Sequence, residues 1–247
     1  MVKRIFIGTS GYNYSHWQGL FYPLTIPTKQ WLEFYTQHFK SVELNVTFYR
    51  LPSDKIFKSW YKRTPQDFGF VVKGPRFITH IKKLDDCIES LEIFFDRVQY
   101  LKEKLLCILW QLPPSLKYNF YRLENFVKLC KMKSNYLYSF EFRNKDWFNH
   151  EVFQLFRDNN ISICIVDSPN FPYCEELTAN FIYLRFHGGS ILYGSNYSDE
   201  ELIDWCKKIN VWQDRIDTIF AFFNNDANGF AVKNALTFNN FITNAGL

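Results

Sequence analysis

Three apolar runs carry ionisable side chains on alternate positions. In SVELNVTF (41–48), Val42, Leu44, Val46 and Phe48 share one parity, while Ser41, Glu43, Asn45 and Thr47 share the other. In YLYSFEFR (136–143), Ser139, Glu141 and Arg143 alternate with Tyr138, Phe140 and Phe142; in FIYLRFHG (181–188), Arg185 and His187 alternate with Leu184 and Phe186. Further runs end on Thr9 and Ser10, on Lys73, on Gln111, on Asp167 with Ser168, and on Asn224, Asn225 and Asp226. A strand turns successive side chains to opposite faces, so Glu43, Asn45, Glu141, Arg143, Arg185 and His187 are expected on the interior face at strand ends. Such a set suits acid–base work on a small polar or anionic molecule. His187 is the natural proton shuttle near neutrality, with Glu141, Glu43 and Asp167 as further reactive groups. Arg143 and Arg185 present planar forks to a carboxylate or phosphate, and Asn45, Lys73, Gln111, Asn224 and Tyr12 are expected to complete the ligand-binding set.

Other chemistry is open to the same residues. Glu141 with Arg143, or Glu43 with Lys73, could be ion pairs that fill space. Glu43 and Glu141 could serve as a glycosidase pair, with Tyr12, Tyr14 and Trp17 as a sugar platform. Glu43, Glu141, Asp167 and His187 have donor types suited to manganese or zinc, but Lys73, Arg143 and Arg185 would crowd the ion with positive charge. No metal and no cofactor are therefore expected. The segment KGPRFITHIKK (73–83) offers Lys73, Arg76, Lys82 and Lys83 beside Phe77, a composition compatible with nucleic-acid binding or with a solvated basic face.

The elements that must position these groups repeat along the whole chain. Eight β-rich runs, IFIGTS (5–10), SVELNVTF (41–48), FGFVVKG (68–74), LLCILWQL (105–112), YLYSFEFR (136–143), ISICIVDS (161–168), FIYLRFHG (181–188) and DTIFAFFNN (217–225), alternate with stretches of helical periodicity. Ser53, Asp85 and Ser198 stand where helix caps are expected. The crossover around EELTAN, after the sixth run, is the shortest. This order predicts an α/β fold, a single TIM (β/α)8 barrel domain over residues 1–247 with some irregular or shortened crossovers. A doubly wound open sheet shares the alternation, but no glycine-rich phosphate loop follows the first run. In a barrel, polar residues at the carboxyl ends of strands converge on one mouth.

Composition agrees with a large folded domain: 47% of the 247 residues are hydrophobic and 20% aromatic. The six cysteines lack the paired spacing of a zinc knuckle or redox dithiol and read as reduced and mostly buried. The amino-terminal apolar run is too short for a secretory signal or a membrane span, so a cytoplasmic protein without a membrane partner is expected. A net charge of +4 is mild and supports a polar or anionic small-molecule partner more than an extended polyanion. The aromatic loop GYNYSHWQGLFYP (11–23) could act as a lid or as a seal over the mouth, and the closing NNDANGF segment could offer Asn224, Asn225 and Asp226 to a ligand or use them as helix caps.

The motifs GTSGYNYSHWQGLFYP, SVELNVTFYRLP, FVVKGPRFITHIKKL, WQLPPS, FEFRNKDWF, VDSP, LRFHG and FFNNDANGFAVKNAL, taken in order, resemble those of the YecE-like family, the domain of unknown function DUF72. The resemblance spans the chain and implies a TIM barrel, often cytoplasmic, with no established activity, substrate or cofactor. Tyr12 stands where the family pattern usually has Trp, and Asn144-Lys145 stands for a more usual His-Pro. Neither departure removes a charged residue from the expected mouth.

Overall fold

The computed structural model describes residue 2, residues 4–133 and residues 136–246; positions 1, 3, 134, 135 and 247 of the expected 1–247 domain lie outside the described residues. Eight strands form one parallel sheet: β1 (Arg4–Thr9), β2 (Ser41–Leu44), β3 (Gly69–Lys73), β4 (Leu105–Gln111), β5 (Leu137–Glu141), β6 (Ile161–Asp167), β7 (Phe181–Phe186) and β8 (Thr218–Phe223). Their hydrogen-bonded order is β1-β8-β7-β6-β5-β4-β3-β2, and a parallel bridge between Ser10 and Glu43 joins the two ends. This is a nearly closed (β/α)8 barrel, as predicted, and the order rules out a doubly wound sheet. Closure depends on Gly8, where a Cβ would run into the carbonyl oxygen of Ser41 across the β1–β2 seam.

The helices are α1 (Trp31–Thr36), α2 (Val46–Tyr49), α3 (Asp54–Arg63), α4 (Ile88–Val98), α5 (Phe120–Lys133), α6 (His150–Asn159), α7 (Asp199–Trp212) and α8 (Phe230–Asn244). The expected irregular crossovers are found. A single π-helical turn, Phe77–Ile81, precedes α4, and no helix lies between β6 and β7 among the described residues. The second strand is shorter than its apolar run: after Leu44 the chain turns into α2, so Asn45, Val46 and Phe48 leave the strand alternation.

Capping follows local chemistry. The Ser198 hydroxyl accepts from the Glu201 amide at 3.2 Å while the Glu201 carboxylate accepts from the Ser198 amide at 2.7 Å, a complete capping box for α7. Ser198→Ala is expected to lower stability by about 1 kcal/mol, measurable as a shifted urea midpoint with unchanged slope. Ser53 stands at the α3 N-cap, but its side chain makes no capping bond. Asp85 does not cap at all: Cys87 occupies that position of α4, and Asp85 pairs with Arg122 at 3.2 Å.

Two apolar layers result. Inside the barrel, Val71, Cys107, Leu109, Cys164, Val166, Phe181, Tyr183, Phe220 and Phe222 pack together with Phe6. The opposite parity packs against the helices, with Trp110, Phe140, Phe186 and Phe223 among its members. No described helix is long and apolar enough to cross a membrane.

Candidate functional site

Above the inner apolar layer, the carboxyl ends of the strands bring ionisable groups to the barrel axis. Strand β7 contributes Tyr183, Arg185 and, just past its end, His187; β2 contributes Glu43, and β5 contributes Glu141 with Arg143 two residues on. Arg185, 1% exposed, is the centre. Its Nη2 donates to Glu43 Oε1 at 2.7 Å and its Nη1 to Glu141 Oε2 at 2.5 Å, so one guanidinium bridges both carboxylates. Glu43 also accepts from Ser10 Oγ at 2.7 Å and from the Tyr183 hydroxyl at 2.6 Å. Arg143 Nε donates to the remaining oxygen of Glu141. Burial would raise the Glu141 carboxyl, but Arg143 and Arg185 outweigh it and hold the group well below the usual carboxylate range. Of the two space-filling ion pairs named from the sequence as an alternative, Glu141–Arg143 forms and Glu43–Lys73 does not, because Arg185 takes that carboxylate.

Three nitrogen-bearing groups at this mouth are not consumed by the carboxylates. His187, fully buried, accepts at Nδ1 from the Asn224 amide nitrogen at 3.0 Å, which puts the proton of the neutral ring on Nε2. That Nε2 has no hydrogen-bond partner among the described residues; its nearest carboxylate oxygen, Glu141 Oε1, is 4.0 Å away. Burial and the Arg185 charge keep the imidazole neutral, well below its ordinary range. Lys73, 8% exposed, forms no ion pair among the described residues; its ammonium lies 4.1 Å from the centre of the Phe48 ring. Burial, and then Arg185, push this amine down to about 7. The Arg143 guanidinium spends only Nε on Glu141 and stacks on Phe171 at 3.3 Å.

Aromatic rings roof the cluster. Phe171, in the helix-free β6–β7 crossover, covers Arg143 and meets the His187 ring edge-on at 5.7 Å, and Tyr193 meets that ring at 5.3 Å. Sequence pattern singles out none of Phe171, Tyr193, Phe48 and Tyr183. Tyr183 is within reach of it, since it shares parity with Arg185 and His187 on β7; the roof residues lie in aperiodic segments.

Other predicted residues stand apart. Asp167 has the outward parity of β6 and accepts from Trp205 Nε1 of α7 at 2.6 Å, so it faces the helix layer. Its carboxyl is pushed up by burial. Tyr12 packs beside α3, its hydroxyl accepting from Trp60 Nε1 at 2.9 Å. It lines a surface cleft with Asn45, whose buried Oδ1 has no partner among the described residues. Gln111 is paired in register with Glu141 and is half-buried. The first loop is built into the core: Trp17 and Tyr22 are fully buried, and Asp226 accepts from Trp17 Nε1 at 2.8 Å and pairs with His16 at 2.9 Å. Asn225 is likewise buried, donating to Asn234 at 2.8 Å. Among the described residues, no three His, Cys, Asp or Glu side chains are grouped to hold a metal ion.

Comparison with known proteins relates the chain as a whole to one family. The family model described as "Protein of unknown function DUF72" matches residues 6–246. The UPF0759 protein YunF of Bacillus subtilis is 27% identical over 93% of this chain and 92% of its own length. The crystal structure of a DUF72 family protein from Thermotoga maritima superposes with a TM-score of 0.86 at 31% identity, covering 97% of this chain and 99% of that one. A psychrophilic family 10 endo-β-1,4-xylanase shares the fold at a TM-score of 0.53 and 9% identity, covering 90% of this chain and 86% of that one.

Proposed function

The chain belongs to the DUF72 family, and we propose that its barrel mouth captures a small anionic metabolite, as a binder or as a metal-independent enzyme. The observation that carries this reading is the bridging of both buried carboxylates by Arg185. With Glu43 and Glu141 satisfied, Lys73, the outer nitrogens of Arg143 and the Nε2–H of His187 remain as donors on neighbouring side chains. Two carboxylates oppose two arginines together with Lys73, which at pH 7 carries its charge about half of the time, so the mouth favours an anion, and a partly desolvated site strengthens that preference. Glu43 and Glu141 then act as positioning residues for the arginines. A glycosidase would need one of the pair protonated as general acid, which the arginines around Glu141 oppose. The free cysteines fit a cytoplasmic setting.

A thermal-shift series with sulfate, phosphate, pyruvate and oxalate tests the reading. A specific anion at a hundredfold excess over its Kd is expected to stabilise by about 2.7 kcal/mol, roughly 5–10 °C for a chain of this size. Arg143→Gln is expected to abolish the shift. Stabilisation by neutral sugars or oligonucleotides alone would overturn it.

A further inference from the structure

We propose that Lys73 is a nucleophilic amine that forms a reversible imine with a small 2-oxo acid held at the barrel mouth. The proposal deepens the anion reading and rests on it. An ordinary lysine at a barrel rim extends to water or to a carboxylate. Lys73 is only 8% exposed and has no carboxylate partner among the described residues, since both nearby carboxylates are taken by Arg185, Arg143, Ser10 and Tyr183. Its ammonium faces the Phe48 ring, with Arg185 and Arg143 near enough to repel it and Glu141 and Glu43 too fully engaged with the arginines to offset its burial. Desolvation beside other cations is the arrangement that frees a lysine amine near neutral pH. Phe48 also lines a cleft of about 400 Å³ with Pro75, Arg76 and Phe77, so this ring stands between the amine and that cleft, which Lys73, Arg143 and His187 do not themselves line.

The neighbouring groups select the substrate class. The unused nitrogens of Arg143 match a carboxylate, and the unpartnered Nε2–H of His187 can donate to the oxygen of an adjacent carbonyl. A 2-oxo acid presents those two groups on neighbouring carbons. The Lys73 nitrogen lone pair attacks the carbonyl carbon, and the carbonyl π pair moves to oxygen, giving a carbinolamine. The two amine protons pass in turn to that oxygen, the C–O bond breaks, and water leaves as the C=N bond forms. No redox partner is needed.

Pyruvate with sodium cyanoborohydride, read by intact mass and peptide mapping, tests this. One adduct is expected on Lys73, saturating with pyruvate and forming roughly tenfold or more faster at pH 7 than on any other lysine, because about half of an amine with a pKa near 7 is free there against about one part in 2,500 of an ordinary lysine. Lys73→Met is expected to lose the adduct while remaining folded, and acetone, which lacks the carboxylate, is expected to react far more slowly. Labelling spread evenly over surface lysines, or equal reaction with acetone, would overturn the proposal. If Lys73 stays unmodified while sulfate or oxalate still stabilises the protein, the imine fails and anion capture stands. If neither occurs, both fail.

Discussion

Arg185→Leu is expected to destabilise the fold by about 3–5 kcal/mol in urea unfolding at pH 7, because it removes one cation from two buried carboxylates. In the native protein Glu141 is held ionised below its ordinary range, so its contribution is present above the unfolded pKa of about 4.3 and is lost as pH falls through the folded value. The variant should show a weaker acid dependence. Without Arg185 one of the two guanidinium charges that hold Glu141 down is gone, so burial is less opposed and the folded value moves up toward the unfolded one. The deficit relative to wild type should therefore narrow as pH falls through about 4. Adding Glu43→Gln should recover part of the loss, giving a coupling of about 1–3 kcal/mol in a double-mutant cycle. A loss below about 1 kcal/mol, or additive effects, would mean that Arg185 does not organise the mouth.

How the sequence encodes this network differs from residue to residue. Glu43, Glu141, Arg185 and His187 are legible because strand parity is local: once the runs are strands, a period of two puts these side chains inside. Asp167 shows the same rule applied too loosely. Its position at a strand end suggests the mouth, yet Ser162, Cys164 and Val166 fix the inward parity of β6, and Asp167 belongs to the other face. Asn45 departs for another reason, since parity extended past Leu44 runs into residues that fold as α2. The partner of Glu43 is not readable, because Arg185 lies 142 positions away and meets it only when the barrel closes. The roof of Phe171 and Tyr193 leaves no periodic signal, as both lie in loops between strands.

Lys73→Met is expected to make the protein more stable, by about 1–3 kcal/mol at pH 6, with the gain fading towards pH 10. Lys73 has its folded pKa lowered to about 7 from an ordinary 10.5, chiefly by burial and then by Arg185. Arg143 also repels it, whereas Glu141 and Glu43 attract it too weakly to compensate. Below pH 7 the amine is charged in both states, and the folded state carries the full penalty of burying it. Between pH 7 and 10.5 the unfolded chain holds the proton more often, so native stability rises with pH. A tenfold difference in proton affinity between the folded and unfolded chains corresponds to about 1.4 kcal/mol; the expected gain is smaller than the full difference because water reaches part of the amine and because methionine forfeits the contact with Phe48, worth about 0.5–2 kcal/mol. Urea unfolding of both proteins at pH 6, 8 and 10 reads the effect directly. A pH-independent difference, or a loss of stability at pH 6, would show that Lys73 is a structural cation matched to its surroundings. The expected pattern instead marks a group whose presence strains the fold, and the chemical return on that strain lies at the mouth, where an anion would restore the missing counter-charge.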